Sequence, residues 1–150
     1  MYIRPYTPQD LDQILKLFYD TVHTVNIVDY SPVQVDTWAP RNPNKDLWNT
    51  TLSKNLSLVA LVDHEVIGFI DLEKSGYLNR LFIHKDFQSK GLASKLLKEL
   101  LSLSNHHLIT VDSSITALPF FLRHGFQIVR KQSVIKDGID FTNYHMTKRL

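Results

Sequence analysis

The segment Gln88-Ser89-Lys90-Gly91-Leu92-Ala93-Ser94 is where residue types and spacing first point to chemistry. Leu92, Leu96, Leu97, Leu100 and Leu101 recur at three- and four-residue steps, the apolar stripe of an amphipathic helix. A helix opening there, with Gly91 and small Ala93 and Ser94 in its first turn, leaves unpaired backbone N–H groups that an anion can approach closely. The segment reads as a phosphate cradle. It is not the nucleoside-triphosphate loop, which needs a second glycine ahead of its Gly-Lys-Ser/Thr group, nor the dinucleotide fingerprint, which needs three glycines in a six-residue span.

Other site types find little support. The seven histidines are scattered, and His106-His107 are adjacent rather than at the spacing that puts two ligands on one helix face, so no metal site is expected. With no cysteine, disulfides, thiolate metal sites and thiol catalysis by the protein are excluded. There is no G-x-S-x-G nucleophile elbow and no basic patch interleaved with aromatics. A net charge of +2 with interspersed signs gives no field for nucleic acid or for a membrane surface. The start Met1-Tyr2-Ile3-Arg4-Pro5 lacks a signal peptide's apolar segment, and nowhere do about 18 apolar residues run together, so the expected place is the cytoplasm. At 150 residues, 43% hydrophobic and 21% charged, the chain suits one domain spanning 1–150 with a sizeable core.

The elements that must position the cradle follow from period and punctuation. Tyr77 to Ile83 alternates as a strand with both faces largely covered, and it leads directly into the cradle. Upstream, Tyr2–Tyr6 reads as a first strand, with Thr7 as a cap and Pro8 at the first helical position. Leu11, Ile14, Leu15, Phe18 and Val22 mark a helix to about Val25. Ser31-Pro32-Val33-Gln34 is a capping box opening a short helix with Val35 and Trp38, and Asn44 caps a further piece holding Leu47, Trp48 and Leu52. Leu56–Val62 and Val66–Leu72 form a hairpin across Asp63-His64-Glu65. Downstream come a short strand His107–Val111, a loop Asp112–Thr116, and a helix with Ala117 and Phe120–His124 ended by Gly125. Phe126–Ile135 and Ile139–Thr147 pair around Asp137-Gly138, the strongest short turn signal in the chain.

The form Gln-x-x-Gly-x-Ala, after a strand and before a leucine-rich helix, resembles the acyl-CoA pyrophosphate loop of the GNAT family of N-acetyltransferases. A second landmark, Ala117-Leu118-Pro119-Phe120-Phe121-Leu122-Arg123-His124-Gly125-Phe126, is similar to the family's late A-x-x-x-Y-x-x-x-G-F segment. More narrowly, Phe18-Tyr19-Asp20-Thr21-Val22-His23, Asp29-Tyr30-Ser31-Pro32, Thr116-Ala117-Leu118-Pro119-Phe120-Phe121 and Phe141-Thr142-Asn143-Tyr144 resemble the YafP-like branch of bacterial GNAT proteins. The resemblance covers nearly the whole chain. It implies an α/β (α+β) fold, a twisted mixed sheet of about seven strands with helices on both faces.

The resemblance also implies acetyl-CoA as cosubstrate, without metal. Its pyrophosphate would lie on Gln88, Ser89, Lys90, Gly91, Leu92, Ala93 and Ser94. Lys90 reads equally as a charge-assisted contact or as a solvated loop lysine. A backbone N–H near Leu81, Phe82 and Ile83, where the strand splays from its neighbour, would polarise the thioester carbonyl, and the pantetheine arm would pair with the same strand. Ser114, Pro119 and Phe121 would complete the cofactor groove. Departures from the family pattern bear on catalysis. The tyrosine four residues before the late glycine, the family's proton donor to the leaving thiolate, is Phe121; the asparagine three residues before the motif's alanine is Ser114; and where members carry a glutamate base, this chain offers Tyr77 and Asn79.

Replacements are sought in His23, Tyr30, Asp71, Glu73 and Tyr77, with Tyr30, Tyr77 and Glu73 the expected catalytic set. His23 reads as a titratable group or a structural one, and Tyr30 as a hydroxyl over the acceptor site or a loop anchor. Asp71 and Glu73, two apart, are expected to share a strand face, where one could bind the acceptor amine or both could be exposed. Trp38 and Trp48 are expected to pack the helical cap, with Trp38 walling an acceptor pocket as the alternative. The expected activity is direct acetyl transfer to a primary amine, with a small molecule or a protein N-terminus as acceptor; the alternative is a catalytically weak acyl-CoA-binding module or sensor. Monomer and homodimer stay open.

Overall fold

The computed structural model describes all residues from Met1 to Leu150. Seven strands form one sheet: β1 (Tyr2–Pro5), β2 (Leu56–Val62), β3 (Glu65–Leu72), β4 (Tyr77–Ile83), β5 (Leu108–Ser114), β6 (Gln127–Lys136) and β7 (Ile139–Arg149). Five helices accompany them: α1 (Leu11–Thr24), α2 (Pro32–Trp38), α3 (Lys45–Lys54), α4 (Leu92–Leu103) and α5 (Leu118–Arg123). The strand order is β1-β2-β3-β4-β5-β7-β6, antiparallel throughout except for β4 beside β5. A parallel neighbour needs a crossover, and α4 supplies it between β4 and β5.

Local sequence explains the punctuation. Ser31 accepts from the Gln34 N–H while the Gln34 side chain accepts from the Ser31 N–H, closing the capping box that starts α2. Asn44 Oδ1 accepts from the Leu47 N–H and caps α3. Asp137 and Gly138 both take positive φ, 50° and 78°, as a two-residue turn of the type I′ kind requires.

Two apolar layers sandwich the sheet. Ile14, Leu17, Phe18 and Val22 of α1 pack with Val59, Leu61, Val66 and Phe69 on one face, roofed by α2 and α3. Leu92, Leu96, Leu97 and Leu100 of α4 pack with Leu58, Ala60, Ile70, Leu72 and Leu78 on the other. Alternation along β2 therefore sends Leu58 and Ala60 one way and Val59 and Leu61 the other. This is the expected mixed sheet with helices on both faces.

Two boundaries differ from the sequence expectation. The anticipated loop Asp112–Thr116 is strand as far as Ser114, because β7 supplies a partner for every residue from Leu108 to Ser114. Pro8–Asp10 is a separate 3₁₀ turn ahead of α1. Thr7 is its N-cap, as expected, in a capping box with Asp10, whose carboxylate accepts from the Thr7 N–H at 2.9 Å and the Thr7 hydroxyl at 3.2 Å.

That carboxylate also receives both Arg4 terminal nitrogens at 2.8 Å, tying β1 to the start of α1. Burial pushes the Asp10 pKa up, but the bonds from Arg4 and Thr7 outweigh it and hold the group below the ordinary carboxylate range. A carboxylate so depressed stabilises the fold above its unfolded pKa and stops doing so as pH falls through its folded one. Asp10→Asn is therefore expected to cost on the order of 1–3 kcal/mol at pH 7 in urea titrations. The difference from the parent should shrink as pH falls below about 4, the unfolded carboxyl value.

Candidate active site

The cradle forms as a tight left-handed approach to α4. Ser89 and Gly91 both have positive φ, 58° and 79°, and a Cβ built on Gly91 meets no atom within 4 Å. The first intrahelical bond runs from the Lys95 N–H to Gly91 O, and Gly91 makes no side-chain cap, so the N–H groups of the first turn face open space. These features fit a bound pyrophosphate. Gln88 holds the loop from below, its amide donating to Ile83 O at 2.7 Å. Ser94 exchanges a 2.8 Å hydrogen bond with His124 Nε2, and the His124 ring stacks on Phe120. Gln88, Ser89, Gly91, Leu92, Ala93 and Ser94 line the central cavity. Lys90 does not; it is exposed, with its ammonium over the Phe87 ring, as the solvated reading has it.

The cavity, about 1090 Å³, runs from the cradle to the helical roof. It opens because β4 and β5 pair only at Tyr77–Thr110 and Leu78–Val111 and then part, while β4 stays registered with β3 to Ile83. The β3–β4 register skips Asn79, a bulge at the point of parting. The His84 N–H donates to Ile67 O on β3, so strand alternation turns the N–H groups of Leu81 and Ile83 toward the open side. Ser114, Pro119 and Phe121 line the opposite bank. Phe121 is only 3% exposed, packed edge-on against Phe120 and Phe126, and Ser114 Oγ accepts from the Ala117 N–H to fix the turn into α5.

The roof side of the cavity carries the catalytic candidates. Tyr30 lines it, but its hydroxyl donates to Thr142 O at 3.0 Å and accepts from the Ile115 N–H at 2.9 Å, locking the roof onto β7 and the β5–α5 loop. Burial raises its phenol pKa. Tyr77 lines the cavity with its hydroxyl 3.0 Å from Asp112 Oδ2. Burial, and then the Asp112 carboxylate, push the Tyr77 phenol well above the tyrosine range. Glu73 is half-buried and also lines the cavity, just past the end of β3.

Two sequence candidates, Asp71 and His23, lie elsewhere. Asp71 does not share an accessible face with Glu73: it is fully buried, does not line the cavity, and accepts from Arg80 Nε and Nη2, Asn55 and Asn79. His23 is structural, its Nε2 2.9 Å from Ala39 O and its ring stacked on Tyr19. Trp48 packs in the roof under the Arg80 guanidinium, 4.2 Å from its ring centre, while Trp38 walls the cavity against Tyr30 and Phe82.

Sequence reasoning missed Asp112, whose second oxygen takes His145 Nδ1 at 2.8 Å and Gln132 Nε2 at 3.0 Å. Assigning Asp112 to a loop hid it. Extending the alternation of Ile109, Val111 and Ser113 would have put Asp112 on the roof face. No group of three or more His, Cys, Asp or Glu is placed to hold a metal ion, and no helix is long and apolar enough to cross a membrane.

The acetyltransferase (GNAT) domain family model matches residues 26–148. An uncharacterized N-acetyltransferase YafP of Escherichia coli K12 is 38% identical over 144 residues, covering 96% of this chain and 93% of that protein. Among solved structures, a GNAT-type N-acetyltransferase from Rhodopseudomonas palustris superposes with a TM-score of 0.95 at 27% identity, covering 99% of this chain and 95% of that one. The PaiA N-acetyltransferase of Thermoplasma acidophilum in complex with coenzyme A has the same fold, with a TM-score of 0.80 at 18% identity over 99% and 98% of the two chains. The family model and the Escherichia coli relative settle the class that the parted strands and cradle point to: this chain belongs to the GNAT family of N-acetyltransferases, on its YafP-like branch.

Proposed function

We propose that the protein moves an acetyl group from acetyl-CoA directly to a primary amine. The observation that carries this reading is one continuous cavity joining an anion cradle, an unpaired strand edge and a roofed polar pocket. The cradle from Gln88 to Ser94 would hold the pyrophosphate, with Gln88 and Lys90 acting around it rather than on it. The bound thioester supplies the activated acetyl group. Leu81 and Ile83 present their N–H groups along the open edge, where one can stabilise charge developing on the carbonyl oxygen. No cysteine is available for a covalent relay, so attack by the amine itself is the direct route.

The acceptor enters from the roof side, between Trp38, Phe82 and the polar groups Tyr77 and Glu73. Tyr30 serves this pocket by holding its wall, since its proton is already shared with Thr142 O. On the other bank Phe121 offers no proton, and the leaving sulfur takes one from solvent. A thiol with pKa near about 8.5 leaves as thiolate at only modest cost at neutral pH. The small amine and the protein N-terminus both suit an open pocket of this size.

Gly91→Ala tests the cradle. The methyl enters the space left for the anion in a backbone conformation costing an L-residue about 1–2 kcal/mol, so the variant should stay folded. Calorimetry should show its acetyl-CoA Kd raised at least about tenfold, roughly 1.4 kcal/mol; an unchanged Kd removes the cradle from the proposal. Phe121→Tyr tests the missing donor. Turnover, followed by release of the CoA thiol, should change by less than about tenfold, and a larger gain would identify a site decayed for want of one hydroxyl.

A further inference from the structure

The hydrogen bond between Tyr77 and Asp112 has a direction that decides what Tyr77 can do. A carboxylate only accepts, so the proton in this 3.0 Å contact is the tyrosine's own. Asp112 is in turn fixed on its other oxygen by His145 Nδ1 and Gln132 Nε2. Burial and the adjacent carboxylate keep the Tyr77 proton in place. The hydroxyl therefore turns lone pairs, and no proton, toward the cavity it lines.

A second acceptor stands nearby in the sheet. Asn143 lies on β7 two residues before His145, opposite Ser114, and lines the same cavity. Its Oδ1 is buried and has no hydrogen-bond partner. Lone pairs on the Tyr77 hydroxyl and on Asn143 Oδ1, backed by the Asp112 charge, suit a ligand that brings donors and positive charge. A primary ammonium is that group. Trp38, Phe82 and Phe141 line the same cavity on the roof side and give it an aromatic wall against which an apolar body can pack.

We infer that Asp112 is a positioning residue that makes Tyr77 a hydrogen-bond acceptor for the substrate's ammonium group, and that the acceptor class is the arylalkyl primary amine. The inference rests on the primary-amine reading given above. The transfer balances without further reactants: the amine gives up one proton to solvent before attack, the N–C bond forms as the C–S bond breaks, and a second proton leaves nitrogen as the sulfur gains one.

The test uses 2-phenylethylamine and, for comparison, a tripeptide with a free N-terminal alanine, with CoA thiol release as the rate and calorimetry for acetyl-CoA binding. The parent should acetylate 2-phenylethylamine with a KM at least about tenfold below that for the tripeptide. Asp112→Asn and Tyr77→Phe should each raise the amine KM at least about tenfold while the acetyl-CoA Kd stays within about twofold. His145→Gln, which keeps a donor to Asp112, should have a smaller effect in the same direction. Acetylation of the tripeptide but not of 2-phenylethylamine overturns the acceptor class. An amine KM unmoved in Asp112→Asn overturns the positioning role, and should that variant fail to fold, an unmoved KM in Tyr77→Phe does so. Failure of the parent to bind acetyl-CoA, or to acetylate either amine, instead strikes the underlying reading.

Discussion

The fold depends on a hydrogen-bonding discontinuity: β4 keeps one neighbour along its length and loses the other after two residue pairs. Backbone groups left unpaired in a protein interior are costly, so such a gap persists only where side chains or a ligand take up what the missing strand would have bonded. Part of that repair is visible at the tip of β4. Ile83 O accepts from Thr21 Oγ1 of α1 and from Gln88 Nε2 of the cradle loop, so both layers grip the free end of the strand. The same bonds set where the cradle sits relative to the open edge. Gln88, which the motif presents as a phosphate residue, thus braces the loop before α4 against the tip of β4.

At the other end of the gap, Asp71 and Arg80 keep the two strands from parting as well. Asp71 is wholly buried, and its bonds to Arg80, Asn55 and Asn79 satisfy the charge from β3, β4 and the end of α3 at once. Asn79 is the residue skipped in the β3–β4 register, and donating to Asp71 gives that bulge a fixed geometry. The guanidinium lies over the Trp48 ring, which ties α3 down on the sheet. A buried ion pair adds little net stability over apolar packing, but removing one partner strands the other charge. Its value here lies in specifying one register at the hinge of the split.

Much of this was legible in the residues, and the omissions have physical reasons. Amphipathic stripes, capping boxes at Ser31 and the Asp137-Gly138 turn are local signals, each readable within a few residues, and the helices and hairpins they specify are present. The turn into α4 was readable because glycine at a helix start has a narrow set of uses. The catalytic side was less legible because hydrogen-bond commitments are made across the sheet. Tyr30 meets Thr142 and Ile115, Tyr77 meets Asp112, and Asp71 meets Arg80 only after strands far apart in sequence are aligned. Asp112 was lost for a further reason: β5 is polar at its end, and only pairing with β7 shows that Asp112 to Ser114 continue the strand.

The two tyrosines show how the direction of a hydrogen bond separates residues that look equivalent in sequence. Each is a phenol lining one cavity, and each has its pKa raised by burial. Tyr30 gives its proton to a carbonyl and receives one from an amide, so it is satisfied from both sides and works as a joint. Tyr77 gives its proton to a carboxylate and receives none from the protein, so it alone retains accepting capacity beside a negative charge. That asymmetry suits the amine side of acyl transfer, where the nucleophile must shed protons, better than the sulfur side, where a proton is required. Phe121 is consistent with the same division. On the proposed reading, an apolar ring on the thioester bank and lone pairs on the roof bank would place the polar machinery where the weaker acid, the ammonium, is handled and leave the more acidic thiol to depart with little help.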